Sequence, residues 1–364
     1  VLKNLPIRAI DFSNEKEKKI HDKIVASQKR LIDIHDKMDA NVGNKRKLIP
    51  LEGQFLREKD KLKGLLAQLY DLSDDDARIP LIKEKLRGGF YTPEPIASFI
   101  LKWGINGSVD SDILEPSCGD GVFLEQLKEN KYRYNSITAI EFDEIEAEKA
   151  NRINLNNKTV INTDFHLYCN ETTQRFNLIV GNPPYIRYQY FDKEQQIEAD
   201  KIFKHASLKY SKLTNAWVSF VIGSSLLLKE KGKIGFVIPA ELLQVSYAQQ
   251  LREFLGQFYN KINIISFEKL VFPDIQQEVV LLLCEKNGIN SHLIEHLELR
   301  DASDLEHLDV NILKSPTKKI DFKSKKWTYY FLEQDEIDFL ENIALEKNIP
   351  SIGRYADVEV GITT

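Results

Sequence analysis

Apolar residues recur at helical spacing through the first quarter of the chain. Ile20, Ile24, Leu31, Ile34 and Met38 fall three, four or seven positions apart, and Leu48, Leu51, Phe55, Leu62, Leu65 and Leu69 repeat the pattern. Each series lays an apolar stripe along an otherwise charged helix. Asn41-Val42-Gly43-Asn44 supplies a turn between them. The pattern predicts an N-terminal helical hairpin within residues 1–85.

The period changes near residue 88. Short apolar runs stand at Ile113–Leu114, Ile137–Ile140, Val160–Ile161, Leu178–Val180, Ile234–Ile238, Ile262–Ile265 and Val279–Leu283. Helical stretches such as Gly121–Asn130 and Ile145–Asn154 separate several of them. Strands alternating with helices predict an α/β fold, a doubly wound and mostly parallel sheet of seven strands over residues 86–286. The last two strands follow each other through a non-helical link at Val271-Phe272-Pro273-Asp274. That link predicts a hairpin, with one antiparallel strand at the edge. Residues 287–364 form a mixed extension with a helix from about Glu333 to Leu345.

Composition narrows the class. The 364 residues are 42% hydrophobic, enough for one large domain and a smaller one. No run of about 18 apolar residues occurs, so no membrane span is expected. Nothing at the start reads as a secretory signal. Cys118, Cys169 and Cys284 are far apart with no CxxC. Neither a disulfide framework nor a metal site is expected, and a reducing cytoplasm is the default location. The net charge of −5 is uneven. Residues 1–87 hold 20 Lys+Arg against 15 Asp+Glu, a net of +5, which leaves −10 on the rest. The basic segment suits either a solvated helical surface or a phosphate contact.

Chemistry begins at Ile113–Leu124, a strand, the turn Glu115-Pro116-Ser117-Cys118-Gly119-Asp120-Gly121, and a helix. In doubly wound sheets, ligands bind where such a turn leaves the carboxyl end of a strand. The next strand ends at Glu141, about 20 positions on, where a carboxylate can accept hydrogen bonds from ribose hydroxyls. The third ends at Asp164-Phe165. Asp164 could receive an adenine amino group, with Phe165 packing on the ring, or it could simply cap a helix. There is no GxxxxGK[ST], and the first turn is not GxGxxG. A nucleoside without phosphates therefore fits better than NAD or ATP.

The fourth strand runs into Asn182-Pro183-Pro184-Tyr185. Two prolines cannot continue a central strand, so the chain leaves the sheet here. The Asn182 side-chain oxygen and the Pro183 carbonyl can converge on one amino group, and Tyr185 offers a flat face for a base. Such acceptors suit methylation of an exocyclic amine, whose lone pair is delocalised and weakly nucleophilic. Positioning and electrostatics would then supply most of the acceleration.

Asn-Pro-Pro-Tyr after a strand, with Glu-Pro-Ser-Cys-Gly-Asp-Gly well ahead of it, resembles the gamma-class adenine-N6 DNA methyltransferases of restriction–modification systems, of the TaqI and Eco57I types. Gly89-Phe90-Tyr91-Thr92-Pro93 resembles that class's segment over the methionine end of S-adenosylmethionine. Val271-Phe272-Pro273 resembles the position whose aromatic stacks on the flipped base. The resemblance covers roughly residues 85–285 and implies a Rossmann-like methyltransferase fold. It places Thr92, Glu115, Cys118, Gly119 and Glu141 near the cofactor, with Asp164 and Phe165 at its adenine. It implies that Asn182, Pro183, Tyr185 and Phe272 grip an adenine flipped out of double-stranded DNA. Arg187-Tyr188-Gln189-Tyr190 could touch DNA or anchor the loop.

The class continues into a large target-recognition domain, whereas residues 358–364 resemble only the entry to one. The N-terminal hairpin resembles the helical tail that closes such a domain. A specificity or restriction subunit could supply recognition. No paired Asp and Glu-x-Lys nuclease cluster occurs. Two other readings stay open: methylation of an amine in RNA or of a protein glutamine, and a modification subunit inactive without a specificity partner.

Overall fold

The computed structural model of the chain describes residues 14–39, 61, 92–106, 110–186, 191–211, 214–272, 277–288, 291–314, 318–322 and 326–346. The expected turn at 41–44, the second helix of the hairpin except Lys61, residues 89–91, residues 187–190, Pro273-Asp274 and the stretch 358–364 lie outside them. Two compact units are present, residues 1–84 and 85–364.

In the first unit, helix α1 spans Glu15–Asp39. Glu15 and Glu17 occupy its first turn and Lys37 its last, the arrangement that complements a helix dipole. Ile20, Ile24 and Ser27 form its buried line, four and three residues apart.

The second unit opens with α2 (Glu94–Ile105). Then come β1 (Asp112–Glu115), α3 (Val122–Glu129), β2 (Ser136–Glu141), α4 (Glu144–Arg152), β3 (Lys158–Asn162), α5 (Phe165–Glu171) and β4 (Phe176–Gly181). The chain continues through α6 (Lys193–His205), α7 (Ala216–Leu226), β5 (Leu228–Pro239), α8 (Gln249–Phe258), β6 (Lys261–Phe267) and β7 (Val279–Glu285). It ends in β8 (Leu293–Leu299), β9 (Lys318–Lys319) and α9 (Gln334–Glu346). Local chemistry sets several starts. The Asp143 side chain accepts from Ile145 N and Glu146 N to cap α4, and Asp192 with Gln195 forms a capping box on α6.

The strands form one sheet in the order β3-β2-β1-β4-β5-β7-β6-β8-β9. It is α/β, doubly wound and mostly parallel, as expected, and the seven expected strands stand as β1 to β7; among the described residues two further strands follow beyond residue 286. β8 pairs parallel with β6 and β9 antiparallel with β8, so the segment beyond residue 286 extends the sheet. The antiparallel strand expected from the hairpin is also not at the edge. β7 lies between β5 and β6 and runs against both, from Pro239↔Val279 to Lys261↔Glu285.

Strand alternation divides the core between the two faces. Leu114, Leu282 and Phe236 pack with Trp217, Phe165 and Tyr259 on one side. Ile113, Leu281 and Leu283 pack with Ile100, Trp103 and Phe123 on the other. Helix α7 is buried from Ala216 to Ser225, the signature of a helix apolar all round and enclosed in the core. Each fully buried large apolar side chain such as Phe236 contributes about 1.5–3 kcal/mol relative to exposure. The order reverses between β1 and β4, which opens a crevice at the carboxyl ends of β1, β2 and β4.

Candidate active site

The turn after β1 is built by its glycines. Gly119 and Gly121 have φ of +53° and +100°, a backbone region that L side chains rarely adopt. A Cβ at Gly121 would also meet Ile153 Cδ1 at 2.5 Å, so α4 packs directly on the turn. Around Gly119 a Cβ would meet nothing within 4 Å, so that backbone faces open space. Cys118 N–H donates to Ile140 O at 2.9 Å and ties the turn to β2. Burial pushes the Cys118 thiol far up, with Glu115 and Glu141 adding repulsion, so it is an inert packing group.

Glu141 braces this turn. Its Oε2 accepts from Gly119 N and its Oε1 from Asp143 N, each at 2.8 Å. Burial raises its carboxyl, with the two amides acting against that rise. Each oxygen keeps a further lone pair for a ligand hydroxyl. The neighbouring Phe142 is 64% exposed at the end of β2. No motif singles it out; an aromatic directly after the terminal acid of a strand is its local signal. Thr92 is buried at the start of α2 and lines a cleft of about 500 Å³ with Glu94, Asp120, Val122 and Glu125.

Asp164 caps α5, accepting from His166 N at 2.8 Å and Leu167 N at 3.2 Å. Its Oδ2 accepts from Gln195 Nε2 at 3.0 Å, and the His166 ring lies 3.2 Å from Oδ1. His166 in turn meets Ser219 Oγ at 2.7 Å through Nε2. Burial alone would raise the Asp164 carboxyl, but the hydrogen bond and charge of His166 and the bond from Gln195 hold it below its ordinary value. The helix-cap alternative is thus realised, and one oxygen still faces α6. Phe165 sits in the core, 2% exposed and stacked on Phe220 at 4.7 Å. Its ring belongs to the core on this face of the sheet. Gln195 and Ser219 carry no local sequence signal, because only the tertiary fold brings them to Asp164.

Asn182 follows β4 directly. Ser117 Oγ donates to its carbonyl at 3.3 Å, joining the glycine turn to this loop. The Tyr185 hydroxyl lies 2.7 Å from Asn182 Oδ1 and 3.2 Å from Val237 O. Burial pushes the Tyr185 phenol well up, so it remains a donor. Ala216 N–H donates to Ile186 O at 2.8 Å, anchoring the loop on α7. Pro183 is buried. Phe272 is 8% exposed and packs with Ile265, Val279 and Leu281, and Tyr185 rests against the same cluster. Among the described residues no group of His, Cys, Asp or Glu is placed to hold a metal ion, and no helix is long and apolar enough to cross a membrane.

Residues 91–272 match the family model described as Eco57I restriction-modification methylase. Residues 324–364 match that of the C-terminal domain of type II methyltransferase M.Eco57I. Type II methyltransferase M.AccI of Acinetobacter calcoaceticus is 27% identical over 304 residues, covering 80% of this chain and 54% of that protein. Type II methyltransferase M.HincII of Haemophilus influenzae is 27% identical, covering 67% and 43%. The chain thus spans about half the length of the curated relatives it matches. Among solved structures, the methyltransferase subunit of a type I restriction-modification system from Streptococcus thermophilus aligns with a TM-score of 0.52 at 16% identity, covering 72% of this chain and 63% of that one. The DrdV–DNA complex aligns with a TM-score of 0.51 at 16% identity, covering 82% and 37%. These two likenesses speak for the fold.

Proposed function

The chain belongs to the Eco57I restriction-modification methylase family, and on that premise we propose that it is the catalytic part of a DNA methyltransferase acting on the N6 amino group of adenine, with S-adenosylmethionine as methyl donor. The observation that carries this is Asn182, held at the crevice beside the glycine turn through Ser117. Its side-chain oxygen and the Pro183 carbonyl are the acceptors that would draw an aniline-like amine toward a tetrahedral, nucleophilic nitrogen. Tyr185 would offer its ring to the base, with Phe272 behind it. A base inside a duplex must leave the stack to reach this loop.

The donor set fits a cationic nucleoside. Glu115 presents a buried carboxylate oxygen without a hydrogen-bond partner among the described residues, suited to a positive methionine end. Thr92, Cys118 and Gly119 frame that end. Glu141 would accept from the ribose hydroxyls, and Asp164 and Phe142 would hold the adenine. When bound, the cofactor supplies a methyl group activated by a sulfonium. Direct transfer needs no enzyme nucleophile, so this chain's residues orient the amine and take up its developing charge.

The partner in this proposal is double-stranded DNA within a restriction–modification system. A span of about half its relatives' length favours a second reading, in which transfer requires a recognition domain or specificity subunit outside these residues. The test is transfer of labelled methyl groups to mixed genomic DNA, followed by base analysis. Label confined to N6-methyladenine, and lost in Asn182→Ala, is the expected result. Label in RNA or in protein glutamine would overturn it.

A further inference from the structure

Glu115 ends β1 and is 1% exposed. Its Oε2 has no hydrogen-bond partner among the described residues. The charged groups acting on it are both acids: Glu141 from β2 and Asp120 from the turn. From β4, Gly181 comes so close that a Cβ there would lie 3.9 Å from Glu115 Cγ. Cys118 is the neighbouring thiol, and burial keeps it protonated. The cleft beside Asp120 adds the uncharged Thr92 and the exposed acids Glu94 from α2 and Glu125 from α3. Two lysines act on the rim. Lys149 acts on Asp120 and pairs with Glu146 at 2.9 Å. Lys158 acts on Cys118 and is held by the carbonyls of Ala150, Asn151 and Ile153.

An ionised carboxylate in this position meets low dielectric and two like charges, and among the described residues no cation is one of the charged groups acting on it. Proteins resolve such a placement by keeping the group neutral or by bringing a counter-charge. Burial, then repulsion from Glu141 and Asp120, pushes the Glu115 carboxyl well up. We propose that Glu115 keeps its proton in the free enzyme and releases it to solvent when the cationic methionine end of S-adenosylmethionine enters, the ligand's positive charge replacing the proton. The inference rests on the cofactor assignment above. The O–H bond breaks heterolytically, the electron pair stays on the carboxylate, and the proton passes to solvent. The shared chemistry is a cation, either the ammonium or the sulfonium. Affinity for the cofactor then rises with pH, by up to about tenfold per unit for a one-proton exchange, while the free enzyme holds the proton.

Titration calorimetry of the full chain in buffers of different ionisation enthalpy reads the exchange directly. S-Adenosylmethionine should release close to one proton, and adenosine, which lacks the methionine end, should release none. Release with S-adenosylhomocysteine as well assigns the ammonium, and release with S-adenosylmethionine alone assigns the sulfonium; both support the exchange. Glu115→Gln, a neutral isostere of the protonated acid, should bind about tenfold more weakly and lose the buffer dependence. Infrared difference spectra of the wild-type chain should show loss of a protonated carboxyl band on addition of S-adenosylmethionine, with no variant needed. Binding without proton release, or release that persists in Glu115→Gln, would overturn the proposal. Absence of any binding heat for S-adenosylmethionine would remove the cofactor assignment itself, a distinct outcome.

Discussion

The Tyr185 hydroxyl donates to Asn182 Oδ1 at 2.7 Å, the same oxygen assigned to the target amine. A carbonyl oxygen has two lone pairs, so accepting from the tyrosine orients the amide without using its whole acceptor capacity. Tyr185→Phe removes this hydrogen bond and keeps the ring. A net hydrogen bond contributes about 1 kcal/mol, so single-turnover methylation should slow by less than about tenfold. Asn182→Ala removes the acceptor itself and should slow transfer by about 100-fold or more, with cofactor binding retained. If Tyr185→Phe is as inactive as Asn182→Ala, the hydroxyl has a direct part in transfer.

The two glycines of the turn should separate in a melting experiment. Gly119→Ala meets open space and bears only its backbone strain at φ +53°, about 1 kcal/mol. Gly121→Ala adds a contact at 2.5 Å with Ile153 to a φ of +100°. Strain and overpacking together should destabilise by about 2–4 kcal/mol. The thermal midpoint should therefore fall further for Gly121→Ala, and an equal fall in both would contradict the packing of α4 on this turn.

What the sequence made legible was whatever local pattern encodes. The parallel strands β1 to β5 announced themselves as apolar runs between helices, and the prolines after Asn182 marked where the chain leaves the sheet. Strand order is a different matter. Ile262–Ile265 and Val279–Leu283 look alike as strings, and nothing local says that the second inserts between β5 and the first. β8 escaped notice because Leu293-Ile294-Glu295-His296-Leu297 mixes charge into a strand with few fully buried positions. At the site, residue identity was legible but orientation was not. Phe165 begins α5 on the face that meets Phe220, so it joins the core, whereas Phe142 projects from the end of β2.

Asp164 should make the protein acid-sensitive. Its folded-state carboxyl lies below its ordinary value of 3.8 because hydrogen bonding to His166 and Gln195 outweighs burial. Its contribution is therefore complete above that value and is lost as pH falls through the folded one. Asn is an equally good helix cap, so Asp164→Asn isolates the charge. Urea unfolding should show a stability gap between wild type and Asp164→Asn that is constant near neutrality and closes in acid. A gap that widens in acid would have the sign wrong.

A second acid window belongs to His296 on β8, far along the sheet from Asn182. Its Nε2 meets Ser266 Oγ at 2.8 Å and its ring lies 4.0 Å from that of Phe331. Burial, then the nearby Lys318 ammonium, lowers the imidazole from 6.5 to about 4, against a smaller opposing pull from Glu295. As pH falls below 6.5 the unfolded chain binds a proton that the folded chain refuses until about 4. Stability contributed by neutral His296 is thus full above 6.5 and is lost as pH falls through this interval. His296→Gln removes the titration and should flatten unfolding midpoints across it. Lys318→Gln removes one cause of the depression and should raise the imidazole value, read from the ring-proton shift of His296 in NMR titration. A His296 that titrates at its ordinary value in the wild-type chain would show that β8 does not enclose it as described.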